Sequence, residues 1–321
     1  MEESLKIENL KAYYFTSNGA VKAVDNVSFS LNDGESIGIA GESACGKSTL
    51  GMSIMRMLQP PGKIVGGKVE LHGTDILAMN EHEYNKKVRW KRIAMVFQGA
   101  MNALDPVYSV KDQLKEVLTY HGIPDEKMDE LIIESVKQVG LDPSVIKKHP
   151  HELSGGMKQR IVIAMALILK PEFVIADEPT TALDVLVQAQ IINFLKKLKK
   201  EGMTIMLITH DLAITSEIAD KIGIMYAGEI IEFGSAEQIY REPKHPYTQA
   251  LIAAIPRLKG DKTISYIKGN PPNLMNPPTG CRFYDRCPHA MDVCKQDPPV
   301  IKLKDGYVRC WLYEDSIKSS Q

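Results

Sequence analysis

Eight consecutive residues carry the strongest chemical signal in the chain. Gly41-Glu42-Ser43-Ala44-Cys45-Gly46-Lys47-Ser48 fits the pattern G-x-x-x-x-G-K-[ST]. The glycines permit a tight turn whose backbone N–H groups converge on a β-phosphate, and a following helix N-terminus adds partial positive charge there. Lys47 is expected to reach the β- and γ-phosphates. Ser48 is expected to place its hydroxyl on Mg²⁺, and Thr49 joins the nucleotide-binding set. A second signal is an apolar run, 173–176, that ends in Asp177-Glu178. Carboxylates at the ligand edge of a parallel sheet suit a metal and a water. Asp177 is expected to hold Mg²⁺, and Glu178 to orient and polarise the attacking water as general base. Cys45 sits inside the loop beside the helix N-terminus, a setting expected to favour its thiolate.

These residues need elements to hold them. Ser36-Ile37-Gly38-Ile39-Ala40 reads as the strand entering the loop, and Ser48 to Met57 as the helix leaving it. Buried strands are predicted at 93–97, 173–176 and 204–208. A helix between the last two carries Ile191, Leu195 and Leu198 on one face and lysines on the other. Strands alternating with helices up to about residue 235 predict an α/β fold with a parallel sheet. Residues 105–160 break the alternation with helical patterns such as Leu131 to Gly140, and read as an inserted helical subdomain. From 236 onward Pro and Gly density rises, which reads as a separate loop-rich unit over 236–321. The chain of 321 residues has a net charge of −1, so no basic field points to nucleic acid. The longest apolar stretch, Ile161 to Leu169, is about half a membrane span. The charged N-terminus carries no hydrophobic signal region, so the chain is expected to stay in the cytoplasm.

Further residues fall into register with these motifs. Leu153-Ser154-Gly155-Gly156-Met157-Lys158-Gln159-Arg160 offers a hydroxyl, backbone donors and a helix N-terminus, the features that grip a γ-phosphate. This string resembles the signature of the ABC ATPase superfamily, with Met157 where the family carries Gln. The resemblance covers nearly the whole chain. It implies a P-loop NTPase core over 1–235, with a parallel sheet, an antiparallel β-subdomain and the helical subdomain, followed by a small C-terminal domain. It implies that Gln98 is the glutamine that contacts Mg²⁺ or water, that His210 touches the γ-phosphate, and that Ala182-Leu183-Asp184 is the D-loop. Tyr14 would stack on adenine, with Tyr13 the competing choice. Ser154, Gly155, Gly156 and Met157 would grip the nucleotide of an opposite subunit, so hydrolysis would need a head-to-tail dimer.

Two strings narrow the branch. Phe97-Gln98-Gly99-Ala100-Met101-Asn102-Ala103-Leu104-Asp105-Pro106 and His245-Pro246-Tyr247-Thr248-Gln249-Ala250-Leu251 resemble segments of the oligopeptide and dipeptide permease ATPases, as do Gly280-Cys281-Arg282-Phe283 and Arg286-Cys287-Pro288. The resemblance implies a peripheral subunit on the cytoplasmic face of the cell membrane. Its partners would be two transmembrane permease subunits, a second ATPase chain, identical or different, and indirectly an extracellular substrate-binding protein. The expected cargo is a di- or oligopeptide; relatives carry oligosaccharide or nickel, and a non-transport ABC ATPase is the rival class. Four of the five cysteines follow the spacing Cys281-x5-Cys287-x6-Cys294-x15-Cys310. Zinc knuckles use shorter gaps, and wider ones suit a [4Fe–4S] cubane. Members of the permease branch with this cysteine set resemble iron–sulfur proteins. A cluster that staples the tail is therefore expected, with Zn²⁺, free thiols or a disulfide as alternatives.

Overall fold

The computed structural model describes residues 3–99, 102–255 and 267–314. Ala100 and Met101 of the string after Gln98 lie outside the described residues. Two compact units emerge, Met1–Leu77 with Leu207–Gln321, and Ala78–Met206. The first unit begins with a hairpin, β1 (Glu3–Thr16) and β2 (Gly19–Asn32), which buries Leu5, Ile7, Leu10 and Ala12 from one strand and Val24, Val27, Phe29 and Leu31 from the other. β3 (Ser36–Ala40) is buried at every position and leads through the glycine loop into α1 (Lys47–Ile54). α1 is shorter than the predicted 48–57, because Arg56 takes a left-handed φ of 52° just after Met55 and closes the helix. β4 (Gly62–Leu71) and β5 (Thr74–Asp75) complete an antiparallel sheet of order β2-β1-β4-β5.

The second unit carries α2 (Glu81–Lys87) and β6 (Ile93–Val96) before the helical stretch of α3 (Val110–Tyr120), α4 (Asp125–Gln138) and α5 (Gly155–Leu167). A capping box of Ser109 and Asp112 starts α3. α4 starts after Pro124, six residues before the predicted Leu131, and ends just short of Gly140, whose φ is 73°. β7 (Phe173–Asp177) runs parallel to β6, pairing Ile93 with Phe173 and Val96 with Ala176. All nine residues of these two strands are buried, which a parallel sheet covered on both faces requires. α6 (Val185–Lys200) buries Ile191, Ile192, Leu195 and Leu198 and puts Lys197, Lys199 and Lys200 at its electronegative C-terminal end. β8 (Thr204–Ile208) takes the chain out of this unit.

Back in the first unit, α7 (Leu212–Ile218), β9 (Lys221–Tyr226), β10 (Glu229–Ser235), α8 (Ala236–Arg241) and α9 (Pro246–Ala253) follow in turn. β9 is parallel to β3, with Ile39 opposite Gly223, and antiparallel to β10. The tail then adds a hairpin absent from the sequence reading, β11 (Val300–Leu303) and β12 (Gly306–Arg309). β12 pairs with β10, so the order runs β11-β12-β10-β9-β3 and the tail extends the same sheet that carries the glycine loop. Among the described residues no helix is long and apolar enough to cross a membrane.

Candidate nucleotide site and the tail that holds it

The phosphate loop lies between β3 and α1 in the first unit. Glycine is obligatory at Gly46, where φ is 109° and a Cβ would meet the Ala23 carbonyl oxygen at 1.9 Å. Inside the loop, Lys47 is buried and its ammonium donates to the carbonyls of Gly41 at 2.8 Å and Glu42 at 2.9 Å. The Cys45 carbonyl accepts from the Gly228 N–H at 2.9 Å. Cys45 is itself buried, and burial pushes its thiol up from the ordinary range while the nearby Lys47 pulls the other way. This corrects the expectation of a thiolate: desolvation outweighs the helix terminus and the cation. Tyr14 lies near α1, its hydroxyl 3.4 Å from the Thr49 hydroxyl. Tyr13 donates instead to Asp25 at 2.7 Å. Ser48 and Thr49 are half-buried at the start of α1, and Ser43 and Ala44 are exposed. His210 is exposed in the turn between β8 and α7, beside Asp211, which caps α7 by accepting from the Ala213 N–H.

Glu42 is fixed at three points. Its N–H donates to the buried Tyr247 hydroxyl at 2.8 Å, its carbonyl receives Lys47, and its carboxylate meets both guanidinium nitrogens of Arg286 at 2.7 and 2.8 Å. Arg286 also lies over the Tyr226 and Phe283 rings, which pack with Tyr247 at centroid separations of 4.6 to 5.4 Å. Four residues earlier, Arg282 pairs with Asp25 and with Glu229. Sequence reasoning singled out the strings holding Tyr247, Arg282 and Arg286 but did not connect them to the phosphate loop. Their spacing from Glu42 holds no local periodicity from which such a contact could be inferred.

In the second unit β7 ends at the buried Asp177, and Glu178 follows with φ 45°. A left-handed glutamate is uncommon, and such backbone clusters at functional sites. The Glu178 carboxylate accepts from the Gln98 amide at 3.2 Å and from the Thr181 hydroxyl at 2.8 Å, so Gln98 and Glu178 are brought together. Ser154 caps α5 by accepting from the Met157 N–H at 3.3 Å, leaving Ser154 and Gly155 exposed. Gly156 packs so closely on α6 that a Cβ would lie 2.7 Å from Val187 Cγ1. Asp184 caps α6 through the Val187 N–H at 3.0 Å. The hydroxyl, carboxylate and amide oxygens of Ser48, Asp177 and Gln98 are the hard donors Mg²⁺ takes.

None of the four tail cysteines is in a disulfide. Burial pushes the Cys281 thiol up to about 12, and Cys310, Cys294 and Cys287 add to the effect. Burial likewise raises Cys310 to about 11. Yet among the described residues no group of three or more His, Cys, Asp or Glu side chains is placed to hold a metal ion. The donor chemistry suits a cluster and the arrangement does not, so the expectation of a [4Fe–4S] or zinc centre finds no support in the fold.

A glycine loop between a parallel strand and a helix, an acid pair closing a parallel strand and a serine-capped Gly-Gly helix together define an ATP-binding cassette. A family model described as ABC transporter matches residues 24–181, and one described as oligopeptide/dipeptide transporter, C-terminal region, matches 231–294. The dipeptide transport ATP-binding protein DppD of Caldanaerobacter subterraneus subsp. tengcongensis is 42% identical, with 97% of each chain covered. The oligopeptide transport ATP-binding protein OppD of Escherichia coli is 45% identical over 95% of this chain and 91% of its own. Among solved structures, the dimer of the ATP-binding cassette MJ0796 bound to ADP and Pi matches with a TM-score of 0.65 at 28% identity, covering 72% of this chain and 98% of that one. The chain belongs to the ABC transporter ATP-binding family, in the branch that carries the oligopeptide/dipeptide C-terminal region. It is an ABC-type ATPase.

Proposed function

We propose that this chain hydrolyses ATP to drive import of di- or oligopeptides through two partner membrane subunits, as a peripheral subunit at the cytoplasmic membrane face. The observation that carries the nucleotide reading is the Lys47 ammonium turned into the phosphate loop, within 3 Å of two loop carbonyls. The peptide cargo rests on the relatives' names and on the matching C-terminal region. In the proposed roles, the loop amides of 41–48 with Lys47 and Thr49 bind the β- and γ-phosphates, Tyr14 stacks on the base, and His210 touches the γ-phosphate. Glu178, oriented by Gln98 and Thr181, takes the proton of the water whose oxygen bonds to the γ-phosphorus as the bond to ADP breaks. Ser48, Asp177 and Gln98 would hold Mg²⁺, which would supply positive charge to the phosphate oxygens. Ser154, Gly155, Gly156 and Met157 offer an exposed helix N-terminus to the nucleotide of a second ATPase chain, with Asp184 alongside as D-loop. Glu178→Gln keeps shape but loses basicity, so turnover falls about 10²- to 10⁴-fold while ATP binding persists. Near-wild-type turnover in that variant sinks the assignment. A [4Fe–4S] cluster on Cys281, Cys287, Cys294 and Cys310, or Zn²⁺ in its place, rests on the cysteine spacing alone. Iron, sulfide and zinc analysis of protein purified without oxygen decides it, and four freely titrating thiols with no metal remove it.

A further inference from the structure

We infer that Arg286 is a positioning residue for nucleotide binding: the C-terminal tail supplies the counter-charge that lets a phosphate loop containing a carboxylate accept a polyanion. The inference rests on the nucleotide reading above and deepens it. Glu42 is a carboxylate at the second position of a loop built to receive phosphate groups. Left alone it repels the ligand. The forked contact with Arg286 cancels that charge with the geometry that suits a carboxylate best. The Arg286 side chain is only 4% exposed, and its guanidinium meets both carboxylate oxygens of Glu42. The same glutamate presents its carbonyl to Lys47 and its N–H to Tyr247, so a shift of its side chain moves the group that holds the phosphate-binding ammonium. Both tail strings therefore end on one residue of the loop: Tyr247 in α9, and Arg286 in the short turn Tyr284–Arg286 between two cysteines.

The test is MgATP binding to the full-length chain by titration calorimetry, at low and high salt. Arg286→Ala leaves Glu42 unopposed, and affinity falls about five- to twentyfold, less at high salt. Adding Glu42→Gln removes the offending charge and restores affinity to within about threefold of wild type. Arg286→Lys keeps the charge but loses the fork and the ring stacking, so its affinity falls between wild type and Arg286→Ala. A merely structural tail predicts the opposite pattern, with the loss persisting in the double variant; that result, or unchanged binding in Arg286→Ala, overturns the inference. If Arg286→Ala does not fold, Arg286→Gln replaces it in the same comparison. Lys47→Ala separates the two readings. If it binds MgATP normally, the nucleotide reading fails and the counter-charge role fails with it. If it loses binding while Arg286→Ala does not, only the counter-charge role fails.

Discussion

His245 makes the tail sensitive to acid. It caps α9, its Nδ1 accepting from the Tyr247 N–H at 3.0 Å, while its backbone N–H donates to the Glu232 carboxylate at 2.8 Å. The residue is 1% exposed, and burial, helped by the charge of Arg309, holds its pKa down to about 3 against 6.5 for a free imidazole. Below 6.5 the unfolded chain therefore takes up a proton that the folded chain refuses until about pH 3. The contribution to stability is complete above 6.5 and is lost as pH falls from there toward 3. Linkage arithmetic over these two values puts the loss between pH 7 and pH 5 at about 2 kcal/mol. Glu232 and Glu229, whose pKa values burial raises, act with the opposite sign, because the folded state protonates them first. The measurement must therefore be a difference. His245→Asn keeps a strong N-cap without a titrating ring. Guanidinium unfolding followed by far-UV circular dichroism at pH 7 and pH 5 should show wild type losing about 2 kcal/mol more than the variant. Equal losses in the two proteins refute the reasoning.

Gly156→Ala should destabilise the protein by about 1–3 kcal/mol, because its Cβ would lie 2.7 Å from Val187 Cγ1, and Val187→Ala should recover most of that in a denaturation series. An equal cost of Gly156→Ala in both backgrounds counts against the contact. Cys45, buried and with its thiol pushed up, should react with a maleimide at pH 7 at least about tenfold more slowly than a free model thiol. Peptide mapping that finds Cys45 labelled as fast as the model thiol removes that conclusion.

The legible parts of the fold were those specified locally. The run 173–176 followed by Asp177-Glu178 reads as a strand with an acidic end because both signals lie within six residues, and the structure has β7 there. Ser154 ahead of two glycines reads as a helix start, and Ser154 caps α5. The C-terminal hairpin was missed although Asp305-Gly306, flanked by Val300-Ile301 and Tyr307-Val308, carries a turn signal; the proline density before it dominated the reading. The thiolate expected at Cys45 failed for a different reason, since exposure is set by distant packing. The Glu42 contacts join residues 205 and 244 positions apart, and no window along the chain contains both ends.

That separation has a consequence for biosynthesis. A ribosome adding about 5–20 residues per second makes Glu42 roughly 12–50 s before Arg286, which is 244 positions later. During that interval the nascent chain has its glycine loop without the arginine, and for most of it without the tyrosine, that contact Glu42. If Arg286 supplies the counter-charge inferred above, ATP affinity reaches its full value only when the last segments have been made. A protein truncated before Arg286 would keep every motif of the cassette and still carry an uncompensated Glu42 carboxylate in its loop.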